Sequence, residues 1–229
     1  MLLLKATKLF FIFLTTLLTT VTVFVPERSN AQTATTTAPA QSESIIQALQ
    51  KGGYIIYFRH PQTNPNQADT DTLHLENIKA QRQLTAVGER QAQRIGEVFR
   101  AIKIPVGTVL VSQYYRAQKT AKLAGFTNYQ TSIDVTEPQN VPPVEIQRRA
   151  AALRQLLATK PKGGTNTIII AHRPNLEEAA GKEFGDLKEG EAAIFKPLGK
   201  EGFEFVARVA SPEQWTDLAS SFTPPQASN

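Results

Sequence analysis

The sequence predicts an α/β fold: a single three-layer α/β/α domain with a mostly parallel sheet and a late antiparallel addition. Short apolar runs alternate with amphipathic segments along most of the 229 residues, as they do in doubly wound sheets. Three of these runs lead directly into polar residues, which is typical of buried parallel strands that end at a ligand-binding edge. Two further runs flank the turn 198–202, which contains two glycines, and predict an antiparallel hairpin.

The first half of the domain is predicted to contain three helices and two strands. A helix ends at Gly52-Gly53, and an apolar strand at 54–58 follows it. The polar loop 61–80 is long enough to carry a function. The remaining elements of this half are a helix capped by Thr85 that runs to about Lys103, a strand at 106–111 and a helix at 117–124.

The second half begins with a proline-rich connection. Leucines recur after it at helical spacing, and a mostly apolar strand then leads into His172. The predicted elements are a helix from about 144 to 159, a strand at 166–171, a helix at 175–182, strands at 192–196 and 203–209, and a last helix that starts at Ser211-Pro212.

Residues 1–31 have the layout of a secretory signal peptide. Two lysines flank the start of an apolar run that ends at Pro26, and small residues at Ser29 and Ala31 predict cleavage after Ala31. An uncleaved membrane anchor is the alternative, although five threonines lower the hydrophobicity of the run. In both cases we expect the folded part outside the cytoplasm, periplasmic or secreted, with no stable membrane insertion once the signal is cleaved.

The rest of the chain is divided by composition. Residues 32–43 lack apolar periodicity and are predicted to be a flexible leader. We expect the folded domain at 44–222 and a disordered tail at 223–229.

Composition excludes several classes of function. Without cysteine the chain has no disulfide, thiol nucleophile or cysteine-based zinc site. The net charge of +5 falls to +3 when residues 1–31 are removed, and no lysine or arginine run resembles a nucleic-acid site. His74 has no ligating neighbours at a useful spacing, so neither a metal nor a cofactor is expected.

Two arginines and two histidines follow the predicted parallel strands. Arg59 and His60 end the first strand, Arg116 lies just after the second, and His172 ends the third. Because the carboxyl ends of parallel strands share one edge, these side chains are expected to lie together. Four groups that can carry positive charge would repel one another unless an anion binds among them. A phosphoryl dianion fits this requirement.

These residue types also supply the chemistry of phosphoryl transfer. The planar fork of arginine holds two phosphate oxygens, and an unprotonated histidine nitrogen is a nucleophile. Nearby positive charge favours the neutral histidine. The sequence therefore predicts attack of an imidazole nitrogen on phosphorus, followed by hydrolysis of the phosphohistidine.

Four motifs, in order, resemble those of the histidine phosphatase superfamily, the clan of phosphoglycerate mutases and many phosphatases. Its opening motif, Arg-His-Gly-x-Thr-x-x-Asn, is matched by Arg59, His60, Thr63 and Asn66, with Pro61 in place of glycine. Segment 84–92 resembles its Leu-Thr-x-x-Gly-x-x-Gln-Ala helix start. Segment 112–121 is similar to its Ser-x-x-x-Arg-Ala-x-x-Thr-Ala turn, and 168–172 resembles the strand that delivers the second histidine.

The resemblance spans about residues 52–210 and assigns roles. No aspartate follows His172, which places the chain with the phosphoglycerate mutase-like branch. The Arg173-Pro174 pair and Pro61 depart from the small residues that usually follow the two histidines. The resemblance implies His60 as the nucleophile and a phosphate pocket completed by Arg59, Arg116 and His172, with Thr63 and Asn66 as further phosphate-binding residues.

The proton donor for the leaving alcohol has more than one candidate. By resemblance to this branch it is a glutamate after the arginine-containing helix, which here is Glu137. Glu191 at the start of a late strand is the second candidate, and Asp69 and Asp71 on the first loop are a third. Arg82 and Arg90 could contact the substrate, but charges on the helix surface are the favoured interpretation.

The sequence thus predicts an exported, metal-independent phosphatase that hydrolyses small phosphomonoesters through a phosphohistidine on His60. Two alternatives stay open: a catalytically silent module of the same fold that binds a phosphorylated ligand, and a phosphotransferase of the phosphoglycerate mutase type.

Overall fold

The computed structural model describes residues 38–221, with side chains from 45 to 220. The predicted signal peptide 1–31 and tail 223–229 lie outside the described residues. Helices of the described part are α1 (Ala38–Lys51), α2 (Ala86–Ala101), α3 (Tyr115–Leu123), α4 (Pro143–Ala158), α5 (Arg173–Ala180) and α6 (Pro212–Ser221). Its strands are β1 (Ile55–Arg59), β2 (Val106–Ser112), β3 (Gln130–Ser132), β4 (Asn166–Ala171), β5 (Ala192–Gly199) and β6 (Gly202–Val209).

The strands form one mixed sheet in the order β3-β2-β4-β1-β5-β6. Strands β1 to β4 run parallel to one another, and β5 pairs antiparallel with both β1 and β6. Strand β1, which leads into His60, lies between β4 and β5. The predicted mostly parallel sheet with a late antiparallel addition is therefore confirmed.

Helices cover both faces of the sheet, because alternate residues of each strand are apolar on opposite sides. Ile56 and Phe58 of β1 pack in one core, to which α1, α2, α3 and α6 contribute. Ile55 and Tyr57 pack in the second core, to which α4 and α5 contribute. The prediction of three layers is confirmed. The central strands are packed against helices on both faces of the sheet.

Asn166 ties three segments together at the amino end of the sheet. Its side chain is fully buried; Nδ2 donates to the carbonyl oxygens of Leu49 (2.7 Å) and Pro105 (3.0 Å), and Oδ1 accepts from the amide of Tyr54 (3.1 Å). These bonds satisfy backbone groups at the end of α1 and before β1 and β2. The amino edge of the sheet thus serves stability, while the functional residues lie at the opposite edge.

Some element boundaries differ from the predictions. Helix α1 begins at Ala38, inside the segment 32–43 predicted as a leader, because Pro39 fits the first turn of a helix and good helix formers follow it. Helix α3 begins at Tyr115, so Arg116 lies in its first turn. Strand β3 was not predicted, since its three residues are polar and lie at the sheet edge. No helix of the described residues is both long and apolar enough to span a membrane.

Candidate active site

The carboxyl ends of β1 and β4 open into a cavity of about 190 Å³. We call it the phosphoryl pocket, and it is lined by Arg59, His60, Arg82, Glu137, His172, Arg173 and Pro174. The two imidazole rings face each other edge-on with centroids 5.2 Å apart. The structure therefore brings together both predicted histidines, Arg59 and one of the predicted acids.

His60 is held in one tautomer by the chain that follows it. Its Nδ1 lies 2.9 Å from the carbonyl oxygen of Pro61. Because a carbonyl oxygen can only accept, Nδ1 carries the proton and Nε2 keeps its lone pair. Burial lowers the pKa of His60 well below its ordinary value of 6.5, and the positive charge of Arg116 lowers it further. The ring is therefore neutral at physiological pH and presents a nucleophilic nitrogen.

The loop after His60 is fixed by the start of α2. The Thr85 side chain caps this helix by accepting from the amide of Gly88 at 3.0 Å, and the Thr85 amide donates to the carbonyl oxygen of Gln62 at 3.0 Å. A Cβ on Gly88 would lie only 2.0 Å from that carbonyl oxygen. This close approach explains the glycine of the second motif and keeps Pro61 in position to bind His60.

His172 is oriented from both ends. The Tyr57 hydroxyl donates to its carbonyl oxygen at 2.7 Å, and Nε2 lies 2.7 Å from Oγ of the fully buried Ser112. Its Nδ1 faces Glu137 Oε2 and Arg116, each at 3.5 Å. Burial lowers the pKa of His172 well below 6.5, with a further contribution from Arg116. A Ser112 hydroxyl that donates to Nε2 leaves the Nδ1 proton available to a ligand.

Arg116 is fully buried beneath the pocket. Its guanidinium donates to Asp69 Oδ1 at 2.9 Å and to Glu137 Oε2 at 3.2 Å, and it stacks on the Tyr114 ring 4.1 Å from the centroid. Such carboxylates stabilise a buried guanidinium that water cannot reach. Two carboxylates thus already bind this arginine, which is not among the residues that line the phosphoryl pocket.

Arg59 and Arg82 share Glu189 at the other side of the pocket. Arg59 donates to the carbonyl oxygen of Leu187 at 2.6 Å, and its other arm lies 3.5 Å from Glu189. Arg82 lies 3.6 Å from the same carboxylate. The expectation that Arg82 is a surface charge is wrong, because loop 61–80 folds back and places it in the pocket lining.

Among the predicted acids, the structure places Glu137 in the pocket lining. Glu191 is buried elsewhere: its carboxylate accepts from the amide of Lys188 at 2.8 Å and lies 3.9 Å from Arg208. Asp69 is bound to Arg116 and to the backbone amide of Arg82. Asp71 pairs with the exposed His74 at 2.9 Å. Glu191 is therefore corrected from a proton donor to a residue that closes the turn before β5.

Thr63 and Asn66 occupy different environments. Thr63 is buried, and both its hydroxyl (2.5 Å) and its amide (3.0 Å) donate to Glu189. It therefore acts on the pocket through Glu189. Asn66 is exposed on the loop, its backbone amide bonded to Asn64, and it is outside the pocket lining. The structure does not bring Asn66 to the other site residues.

Three contributors to the site escaped the sequence reasoning. In the sequence, Ser112 stands out only as the first residue of a motif, and Glu189 has no assigned role. Arg173 is recognised only as a departure from the family pattern after the second histidine. Their roles depend on contacts between residues that are 60 or more positions apart in the sequence. No local sequence pattern predicts such contacts. Within the described part of the chain, the histidines, aspartates and glutamates form no group of three or more that could hold a metal ion.

Comparison with known families gives one match. The model of the histidine phosphatase superfamily (branch 1) matches residues 55–137. This segment contains β1 with His60, the start of α2 and the Arg116 turn, and it ends at Glu137. The predicted resemblance to the histidine phosphatase superfamily is thereby confirmed.

Comparison with solved structures also gives matches. An Escherichia coli K-12 protein provisionally assigned as an alpha-ribazole-5'-P phosphatase is 14% identical, covering 70% of this chain and 98% of its own, with a TM-score of 0.51. The protein histidine phosphatase SixA, solved with tungstate, is 18% identical over 69% of this chain and 97% of its own (TM-score 0.49). The alpha-ribazole phosphatase of Shigella flexneri is 15% identical over 69% and 96% (TM-score 0.49). The Escherichia coli structure shows that the fold is shared. The comparison with curated proteins gave no match.

Proposed function

We propose that this protein is an exported phosphatase that hydrolyses small phosphomonoesters through a phosphohistidine on His60, without a metal ion. The observation that carries the proposal is the Nδ1 contact of His60 with the Pro61 carbonyl, which leaves Nε2 as a free nucleophile. Three arginines, Arg59, Arg82 and Arg173, line the same pocket and match a phosphoryl dianion.

The first chemical step forms a nitrogen–phosphorus bond. His60 Nε2 attacks phosphorus, the bond from phosphorus to the alcohol oxygen breaks, and a proton passes to that oxygen from the carboxyl of Glu137. The arginines and the Nδ1 proton of His172 stabilise charge on the phosphoryl oxygens. In the second step water attacks phosphorus, the bond from phosphorus to His60 Nε2 breaks, and Glu137 takes back a proton, so that phosphate leaves and His60 is neutral again.

Glu137 is suited to this role by position. It lines the pocket, and its Oε2 lies between Arg116 and Nδ1 of His172.

Export is supported by the sequence of residues 1–31. Fractionation of cells that express the full chain, with mass spectrometry of the N-terminus, tests it. A mature chain that begins at Gln32 outside the cytoplasm is the expected result, and an intact N-terminus in the membrane fraction would favour the anchor.

The catalytic proposal is tested by mapping a covalent intermediate. Residues 32–229 are mixed with a labelled reactive phosphodonor, quenched without acid and mapped by mass spectrometry. We expect phosphate on His60 that turns over, no label in His60→Asn and full label in the control His74→Asn, whose exposed histidine lies on the outer loop. Turnover that persists in His60→Asn would disprove the mechanism.

A second candidate function is binding of a phosphorylated ligand without turnover. Its supporting observation is that Asp69 and Glu137 already occupy Arg116, which reduces the charge available to a transition state. Tight vanadate binding by a protein that never labels at His60 would favour this module over the enzyme.

A further inference from the structure

A second and larger cavity adjoins the phosphoryl pocket. It has a volume of about 500 Å³, within the range of small-molecule sites. We call it the side groove. Glu137 lines both cavities, so a substrate whose phosphorus lies at His60 can extend past Glu137 into the side groove.

Charge is distributed very differently in the two cavities. The phosphoryl pocket has three arginines in its lining. The side groove has Arg149 as its cationic side chain, and Glu145 (2.7 Å) and the carbonyl oxygen of Thr136 (3.2 Å) already hold that guanidinium. Glu76 adds negative charge. A second phosphate or a carboxylate on the substrate would find no free cation there, and would be repelled.

The rest of the side groove offers uncharged hydrogen-bonding groups beside apolar surface. Amides and hydroxyls come from Thr72, Gln113, Gln118, Thr131, Thr136 and Gln139. Apolar surface comes from Leu73, Leu75, Ile133 and Val141, of which Leu73 and Ile133 are exposed. Burial raises the pKa of Tyr114, also in the lining, to about 12, so its hydroxyl stays neutral. This combination fits a molecule with many hydroxyls and short hydrocarbon faces.

We infer that the side groove binds the alcohol part of the substrate and that this part is an uncharged sugar or polyol, so that the substrate class is neutral sugar phosphates. The inference rests on the proposed function, because it assigns the leaving-group side of the same site. It also argues against phosphoglycerates, whose carboxylate would face Glu76.

Gln113 is the residue expected to contact the sugar. Its backbone is fixed on both sides: the amide donates to Thr136 Oγ1 at 2.9 Å, and the carbonyl accepts from Gln118 at 2.8 Å. Among the described residues its side-chain amide has no hydrogen-bond partner, although it lines the side groove. A fixed backbone with a free amide is what a ligand contact requires.

The first experiment compares substrates of the mature protein. Acetyl phosphate serves as the compact donor that does not need the side groove; glucose 6-phosphate, 3-phosphoglycerate and a phosphohistidine peptide are the test substrates. We expect kcat/KM for glucose 6-phosphate to exceed that for 3-phosphoglycerate by about 10-fold or more. Equal or better turnover of 3-phosphoglycerate would overturn the inference.

The second experiment removes the side-chain amide of Gln113. Gln113→Ala is expected to raise KM for glucose 6-phosphate by about 5- to 10-fold, as loss of one hydrogen bond does, and to raise KM for acetyl phosphate far less. Gln155→Ala, an exposed glutamine on α4 outside both cavities, is the matched control. Gln113→Arg is expected to shift preference towards 3-phosphoglycerate.

The outcomes separate the two proposals. Absence of turnover of acetyl phosphate that depends on His60 would disprove the proposed function itself. Turnover of acetyl phosphate with no effect of Gln113→Ala on glucose 6-phosphate would disprove only the substrate class. A KM for the phosphohistidine peptide that rises in Gln113→Ala, while the sugar phosphate is unaffected, would assign the side groove to peptides.

Discussion

Ser112 controls the orientation of the second histidine. Its Oγ lies 2.7 Å from His172 Nε2 in a fully buried position, and it also accepts from the amide of Tyr114 at 3.2 Å. Without this hydroxyl the ring loses the contact that fixes its tautomer. The proton on Nδ1 is then no longer held towards the position proposed for the phosphoryl group.

We therefore expect Ser112→Ala to lower kcat/KM for acetyl phosphate by about 10- to 100-fold while the protein stays folded. The pH profile should also change, because the histidine no longer has a fixed hydrogen-bond partner. Ser220→Ala, an exposed serine on α6, is the control. A Ser112→Ala variant with the kcat/KM and pH profile of the original protein would contradict the role.

The residues of the site were predictable where they follow strands, and less so elsewhere. The Arg59-His60 pair and His172 each follow a mostly apolar run, and the sheet edge brings such residues together. Asn66 and Glu191 were assigned by motif position or proximity, and the structure places them outside the pocket. Arg82 enters it because Asp69 binds the Arg82 amide at 2.8 Å, a contact across the loop that no sequence pattern encodes.

At the scale of elements, the start of α2 holds the loop after His60 in place. The helix packs so closely on Gln62 that a Cβ at Gly88 would lie 2.0 Å from the Gln62 carbonyl oxygen. A displacement of α2 would therefore also displace Gln62 and Pro61, and with them the ring of His60.

Gly88→Ala is therefore expected to lower the free energy of unfolding by about 1–3 kcal/mol and to lower kcat as the loop is displaced. Gly163→Ala is the matched control, since a Cβ there meets no heavy atom within 4 Å. Urea denaturation and steady-state kinetics measure both effects. Equal stability of the two variants would show that the loop adapts at no cost.

Most elements could be predicted because long periodic segments dominate this chain. Helix α2 was located by its Thr85 cap and apolar spacing, and β4 by six consecutive buried residues. Strand β3 was missed because three polar residues at a sheet edge carry no periodicity. The early start of α1 was missed because Thr and Ala composition suggested a leader, although Pro39 suits a helix start.

At the scale of the whole molecule, the two buried histidines make stability depend on pH. The fold lowers the pKa of both His60 and His172 below 6.5, mainly by burial. Below about pH 6.5 the unfolded chain therefore binds protons that the native protein excludes, and the free energy of unfolding falls as pH falls. The loss continues until the lowered native pKa values are reached.

We expect a slope of up to about 1.4 kcal/mol per pH unit for each histidine in this window. Urea denaturation between about pH 7.5 and pH 5 measures it, and the double variant His60→Asn, His172→Asn should give a flatter curve. His74→Asn is the control, since Asp71 raises the pKa of the exposed His74 and so acts in the opposite direction. A double variant as steep as the original would assign the dependence to other groups.

The central place of β1 has a consequence for how the chain reaches its native state. Both partners of this strand, β4 and β5, are later in the chain, and the bond from Tyr57 to His172 joins residues 115 positions apart. Until those partners have been synthesised, the nucleophile strand is an unpaired apolar segment with a tendency to self-associate. Nonlocal pairing of this kind is slow, so catalytic competence arises only at the end of folding. The chain must therefore be complete through β5 before the strand that leads into His60 has both of its partners.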